Sequence, residues 1–244
     1  MQRIITPETV SLFAHSNAAY VTRPVRGIVV SFHGLGGYHP PYPAEGTERD
    51  RLYAAKGVLT IIPEYGPWNW MNDASVQLVD LVIDAYREQL GLDPALPLVS
   101  EGGSMGGHAA LAYLLFGSQK AAACAVNCPV CDLAYHYAER PDVPRTMFSA
   151  YGGTREDLMD VLRRRSPVER AEELPDIPYH IVHTKTDEAV SKAMHTDRLV
   201  PQLKRLGRQV EYVELDGLSH CQMTAEAVDA YNRFVLLHAG ASPE

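Results

Sequence analysis

Short, almost wholly apolar runs recur along the chain at Ile28 to Phe32, Val58 to Ile62, Pro97 to Glu101, Ala121 to Asn127, Tyr179 to His183 and Val210 to Leu215. Runs of this length, rich in Val and Ile and bounded by Gly, Pro or Asp, predict strands buried on both faces. Between them the pattern changes to a helical beat. Val76, Val79, Val82, Ile83 and Tyr86 fall on one face of a helix over Val76 to Leu90 that stops at Gly91. Asp197 to Leu206 repeats the pattern and closes at Gly207, and Ala225 to His238 predicts a last helix before a short polar tail. An extended segment at Ala19 to Thr22 is expected to pair at a sheet edge. Strands that alternate with helices predict an α/β fold with a mostly parallel central sheet flanked by helices.

No repeat, low-complexity tract or linker interrupts residues 1 to 244, so a single domain is expected. Asp132 to Pro175 departs from the alternation. It is rich in charge and proline, contains Pro141-Asp142-Val143-Pro144, and reads as a small helical lid inserted into the scaffold, residues 132–175. Its Arg163-Arg164-Arg165 run reads as a solvated helix face, with an anion-binding patch as the alternative.

The strand at Pro97 to Glu101 runs into Gly102-Gly103-Ser104-Met105-Gly106-Gly107, and an Ala/Leu-rich helix from His108 to Phe116 follows. This is Gly-x-Ser-x-Gly between a strand and a helix, the sharp turn that lifts a serine hydroxyl above a sheet. A serine needs a base, and the base an orienting carboxylate. His220 follows one predicted strand and Asp187 another, giving the chain order Ser104, Asp187, His220 with each residue at the carboxyl end of a strand. Glu188 is the nearest rival for the acid, with Asp176 and Asp216 less well placed. Backbone amides suit a developing oxyanion because they are fixed in advance. Met105 supplies one, and His33-Gly34-Leu35-Gly36-Gly37 offers a second at Leu35, with Gly34 as its neighbour. Tyr38, Tyr65, Trp68 and Trp70 lie on loops near the expected site and are candidate substrate-binding residues, with core packing as the competing role. His33, His108 and His183 are read as structural or pocket-lining.

These segments resemble the α/β-hydrolase superfamily. The Gly-Gly-Ser-x-Gly-Gly form, together with Ser166-Pro167 and Ile177-Pro178 before the acid, is similar to the catalytic domain of prolyl-oligopeptidase-like hydrolases and related esterases. The resemblance runs from Arg26 to Leu237 and implies Ser104 as nucleophile, Asp187 as acid, His220 as base, and the Leu35 and Met105 amides as oxyanion donors. The chain departs from that branch at His183-Thr184, where relatives commonly have His-Gly. It also departs in the tryptophan-bearing loop Pro63 to Trp70, and in lacking the amino-terminal propeller of the large peptidases.

The formal charge of −8 gives no basic field for nucleic acid or an anionic membrane. No window approaches the roughly 20 apolar residues of a membrane span. The first residues lack the pattern of a secretory leader, so a cytoplasmic protein is expected. Cys124, Cys128, Cys131 and Cys221 are expected as free thiols, packed as small hydrophobes with no metal. The function that follows is cleavage of a small carboxylic ester, short in its acyl part, through an acyl-enzyme and without a cofactor. A peptidase or amidase acting on short peptides, and a catalytically silent binding protein of the same fold, are the alternatives.

Overall fold

The computed structural model describes residues 4–36, 46–153 and 156–241. Among these residues one sheet has seven strands: β1 (Ala14–Ser16), β2 (Gly27–Phe32), β3 (Val58–Pro63), β4 (Leu98–Gly103), β5 (Ala123–Asn127), β6 (Tyr179–Thr184) and β7 (Val210–Leu215). Their spatial order is β1-β3-β2-β4-β5-β6-β7, with β1 antiparallel to β3 and every other pair parallel. The helices are α1 (Glu48–Ala55), α2 (Asp73–Leu90), α3 (Met105–Phe116), α4 (Leu133–Glu139), α5 (Val143–Tyr151), α6 (Leu158–Arg165), α7 (Thr196–Arg205) and α8 (Ala225–His238). This is the α/β-hydrolase fold. No described helix is long and apolar enough to cross a membrane.

The central strands are buried because helices cover both faces of the sheet. β3 and β6 are buried at all six positions, while edge strand β7 has none buried. Two apolar layers result. One packs α2 and α3 against the sheet through Val79, Ile83, Leu111 and Tyr113. The other seats Tyr231 and Val235 of α8 over Val29, Val99 and Ala125.

The edge strand differs from expectation. Ala14–Ser16, not Ala19 to Thr22, pairs with β3. Asn17 ends the strand: its carbonyl accepts from the Tyr20 and Val21 amides, turning the chain away. Its side chain meanwhile donates to Val58 O and accepts from Thr60 N, taking backbone groups that a longer strand would need. Helix α1 carries little apolar periodicity and is set instead by a capping box in which Thr47 and Asp50 satisfy each other's amides. The 132–175 stretch between β5 and β6 contains α4, α5 and α6. Each arginine of its basic run is paired, Arg163 with Asp160, Arg164 with Glu156 and Arg165 with Asp73. Arg165 also covers the Phe116 ring at 4.3 Å, so the run ties the inserted helices to the scaffold.

Candidate active site

Parallel strands deliver their carboxyl ends to one edge of the sheet, and Ser104, Asp187 and His220 all follow such ends. At the end of β4 the chain reverses sharply into α3. Ser104 sits at the reversal with φ 58° and ψ −124°, a strained conformation for a residue with a side chain. The turn is this tight because its flanks are bare. A Cβ on Gly102 would lie 2.3 Å from Gly106 O, and one on Gly106 would lie 2.1 Å from Phe32 O. The backbone of the nucleophile turn is then pinned: Ser104 N donates to Asn127 O at 2.9 Å, and Ser104 O accepts from His108 N at 3.1 Å.

Asp187 follows β6 in a tight turn of its own. Its Oδ1 accepts from the Ala189 and Val190 amides, each at 2.9 Å, which fixes the carboxylate plane. The other oxygen meets His220 Nδ1 at 2.7 Å and lies 3.4 Å from His183 Nε2, and the side chain is wholly buried. Burial opposes ionisation of Asp187. The two histidines and the Val190 amide outweigh it and hold the carboxyl well below the usual carboxylate range. Glu188, by contrast, is exposed and shares none of these hydrogen bonds. Burial also works against a charged His220, but its hydrogen bonds to Asp187 and Cys128 raise it above its ordinary value. In the neutral ring Nδ1–H points at the carboxylate and Nε2 carries the lone pair that a general base requires.

Ser104 and His220 both line one cavity of about 580 Å³, within the range of small-molecule sites. Leu35, Gly34 and Trp68 contribute to its wall. The loop holding Leu35 is braced from beneath. Tyr65 O–H donates to His33 O at 2.9 Å, and the Tyr65 ring stacks on the His33 ring with centroids 4.2 Å apart. Gly36 N donates to Pro67 O at 2.8 Å.

Of the aromatic candidates, Trp68 is 38% exposed and reaches the cavity, whereas Tyr65 and Trp70 do not. Tyr65 is buried as the brace just described, and Trp70 is buried with its Nε1–H donating to Thr146 Oγ1 on α5 at 2.9 Å. Both are corrected from substrate wall to scaffold. Tyr38 lies outside the described residues. Arg140, Asp142, Arg145 and Thr146 of the inserted segment complete the wall, a contribution the sequence reading left unassigned within its lid. Arg140 is spent on Asp142 at 3.0 Å, and Arg145 makes no ion pair or hydrogen bond with the described residues.

All four cysteines are free. Cys124 and Cys131 are buried, and burial pushes both thiols up. Cys128 instead meets Cys221 and His220, and hydrogen bonds from both lower its pKa. His220 Nε2 lies 3.5 Å from Cys221 Sγ, and no hydrogen bond joins it to Ser104 Oγ in this arrangement.

Neither a protein-family model nor a curated protein sequence matches the chain. Its fold has many relatives among solved structures. Puromycin hydrolase superimposes with a TM-score of 0.72 at 21% identity, over 91% of this chain and 35% of its own. The acylaminoacyl peptidase of Pyrococcus horikoshii gives 0.67 at 15% identity, over 86% and 35%. Esterase 2 of Thermogutta terrifontis gives 0.65 at 18% identity, over 95% of this chain and 89% of the esterase. The chain therefore spans about a third of the length of the first two proteins and nearly the whole of the third.

Proposed function

We propose that this chain is a serine hydrolase that cleaves carboxylic esters with short acyl groups through a covalent acyl-enzyme. The observation that carries the reading is the convergence, at one cavity, of a strained serine turn and a histidine oriented by a buried carboxylate. In this reading Ser104 Oγ attacks the ester carbonyl while His220 Nε2 takes the hydroxyl proton and returns it to the leaving alcohol. Asp187 fixes the imidazole tautomer and stabilises its charged form. The amides of Leu35 and Met105 hold the oxyanion, a contribution worth about 3 kcal/mol per donor in comparable sites. In this reading His220 Nε2 turns from Cys221 toward Ser104 to complete the relay, since catalytic hydrogen bonds often tighten only once substrate binds. Neither a metal nor an organic cofactor enters the steps.

The size of the cavity, which Trp68 and the Arg145 and Thr146 positions of α5 line, supports the reading of a small substrate. The Thermogutta esterase, whose length this chain nearly matches, has been seen with butyrate bound. The peptidase or amidase reading draws support from the fold shared with puromycin hydrolase and the acylaminoacyl peptidase.

The test is hydrolysis of p-nitrophenyl esters from acetate to decanoate by the wild type beside Ser104→Ala. Turnover that favours acetate and butyrate and falls by orders of magnitude in Ser104→Ala is expected. Activity that survives the substitution overturns the nucleophile assignment. Ser104-dependent cleavage of aminoacyl amides with none of esters moves the chain to the peptidase reading.

A further inference from the structure

Cys128, directly after β5, and Cys221, in the loop after β7, bring two thiols to one imidazole. Both hold left-handed backbone, with φ of 46° and 60°, an uncommon conformation for a residue bearing a side chain. Cys128 Sγ, Cys221 Sγ and a ring nitrogen of His220 lie within 4.8 Å of one another. The separation of Cys221 Sγ from His220 Nε2 is 3.5 Å. A tetrahedral zinc ion with Zn–S near 2.3 Å and Zn–N near 2.0 Å spaces its sulfur and nitrogen ligands about 3.6 Å apart and two sulfurs about 3.8 Å apart. The separation of Cys221 Sγ from His220 Nε2 matches that spacing, and Cys128 Sγ lies within 4.8 Å of both atoms.

The surroundings fit as well. The hydrogen bond of His220 Nδ1 to Asp187 Oδ2, at 2.7 Å, leaves Nε2 as the free donor and supplies the carboxylate behind the imidazole that zinc histidines typically have. Cys221 and His220 line the cavity with Ser104, which gives an ion a path of entry, while Cys128 is buried behind them. A Cβ on Gly103 would lie 3.4 Å from Cys221 Sγ, which sets that thiol directly beside the nucleophile turn.

Two other clusters have comparable composition but committed atoms. In His136, Glu139 and His195, the Nδ1 of His195 accepts from the Cys131 and Asp132 amides, which places its proton on Nε2 toward Glu139. In Cys128, His183 and Asp187, the nitrogens of His183 face Val190 O at 3.0 Å and Thr196 Oγ1 at 2.9 Å. Among the described residues only the Cys128, Cys221 and His220 set combines two thiols with a nitrogen whose proton is placed elsewhere, and its sulfurs make only long contacts, Cys128 Sγ with Thr184 Oγ1 at 3.8 Å and Cys221 Sγ with Asn127 O at 3.6 Å.

We propose that Cys128, Cys221 and His220 form a binding site for Zn²⁺ that reversibly switches off the hydrolytic centre. The ion replaces the two thiol protons, which leave to solvent, and takes the Nε2 lone pair; no electrons are transferred. A histidine whose lone pair is coordinated cannot accept the Ser104 proton. The binding stands apart from the hydrolase reading, while the inhibition rests on it.

The experiment uses the reduced, chelator-stripped full chain as wild type, Ser104→Ala, Cys221→Ser and the double variant Cys128→Ser/Cys221→Ser, each checked for folding by circular dichroism. Zn²⁺ is titrated in a competing chelator and bound metal is counted after gel filtration. Co²⁺ serves as the spectroscopic probe. One Zn²⁺ per chain is expected in the wild type and in Ser104→Ala, with a near-ultraviolet thiolate-to-cobalt band. Affinity is expected to fall by about two orders of magnitude in Cys221→Ser and further in the double variant. Ester turnover of the wild type is expected to fall over the same Zn²⁺ range and return with chelator. No stoichiometric uptake by the reduced wild type, including the case in which Cys128 and Cys221 are found joined only as a disulfide, overturns the proposal. So does uptake that the double variant retains unchanged. Stoichiometric zinc in Ser104→Ala beside a wild type inert on esters and amides upholds the metal site and rejects the hydrolase reading.

Discussion

Asp187 Oδ2 stands 2.7 Å from His220 Nδ1 while Asp187 Oδ1 accepts two backbone amides, so one carboxylate is locked to its own turn and to the imidazole at once. Its neighbour Glu188 shares none of these contacts and is exposed. Asp187→Asn is therefore expected to lower kcat by about four orders of magnitude, because an amide in that place favours the wrong imidazole tautomer. Glu188→Gln is expected to change kcat less than about threefold, as a surface substitution outside the contact network. Steady-state kinetics on p-nitrophenyl acetate separates the two, and a severe loss in Glu188→Gln with a mild one in Asp187→Asn would transfer the role.

The loop carrying the Leu35 amide depends on a residue that does not touch the cavity. Tyr65→Phe removes the O–H that Tyr65 donates to His33 O and leaves a buried carbonyl without that partner. A loosened loop misplaces the Leu35 amide proposed as an oxyanion donor, and loss of such a donor in comparable enzymes costs about 100-fold or more in kcat. The expected result is a kcat lowered by about 10- to 100-fold with KM nearly unchanged, since the oxyanion forms only after binding. A rise in KM at constant kcat would instead make Tyr65 a substrate-binding residue.

The contrast between these residues shows what was legible in the sequence. Strands β2 to β6 were readable to within two residues because strands covered by helices on both faces are largely apolar and the loops between them must turn, and the exposed edge strand β7 because Val210, Tyr212 and Val213 form a short β-branched and aromatic run. The serine turn was readable because its steric demand leaves a glycine signature. Burial of loop aromatics was not. Trp68 and Trp70 are two positions apart in one segment, yet one faces the cavity and the other is pinned under α5 by Thr146, a residue far along the chain. The meeting of Cys128 with Cys221 was hidden for the same reason: it depends on which strand ends adjoin in space. Helix α1 had one local signal, the Thr47 and Asp50 capping pair, without an apolar stripe to accompany it.

Charge at the cavity rim bears on the choice of substrate. The chain carries a formal charge of −8, yet Arg145 faces the cavity with no ion pair among the described residues. A guanidinium in that place attracts a carboxylate or phosphate borne by the substrate, worth about 1 kcal/mol where it is exposed. Arg145→Ala is expected to raise KM about fivefold for a hemisuccinate ester and to leave KM for the matching butyrate ester unchanged. Equal changes for both would assign Arg145 to packing alone.

Acid sensitivity of the fold has one identifiable source in His108. This α3 residue is fully buried, and burial pushes its imidazole down to about 3. In the unfolded chain it takes a proton near its ordinary value of about 6.5. The folded-state value is the lower one, so the unfolded chain binds the proton first as pH falls. The stability that a neutral His108 contributes is whole above about pH 6.5, declines below it, and is exhausted near pH 3. At about 1.4 kcal/mol per pH unit, the loss between pH 6.5 and 5 is about 2 kcal/mol. His108→Leu removes the titrating group while keeping an apolar side chain of similar size. Urea unfolding at pH 7 and pH 5 is expected to show the wild type losing about 2 kcal/mol more than His108→Leu over that interval. Equal losses in the two proteins would place the acid sensitivity in other groups, such as the buried His195, whose imidazole burial also pushes down.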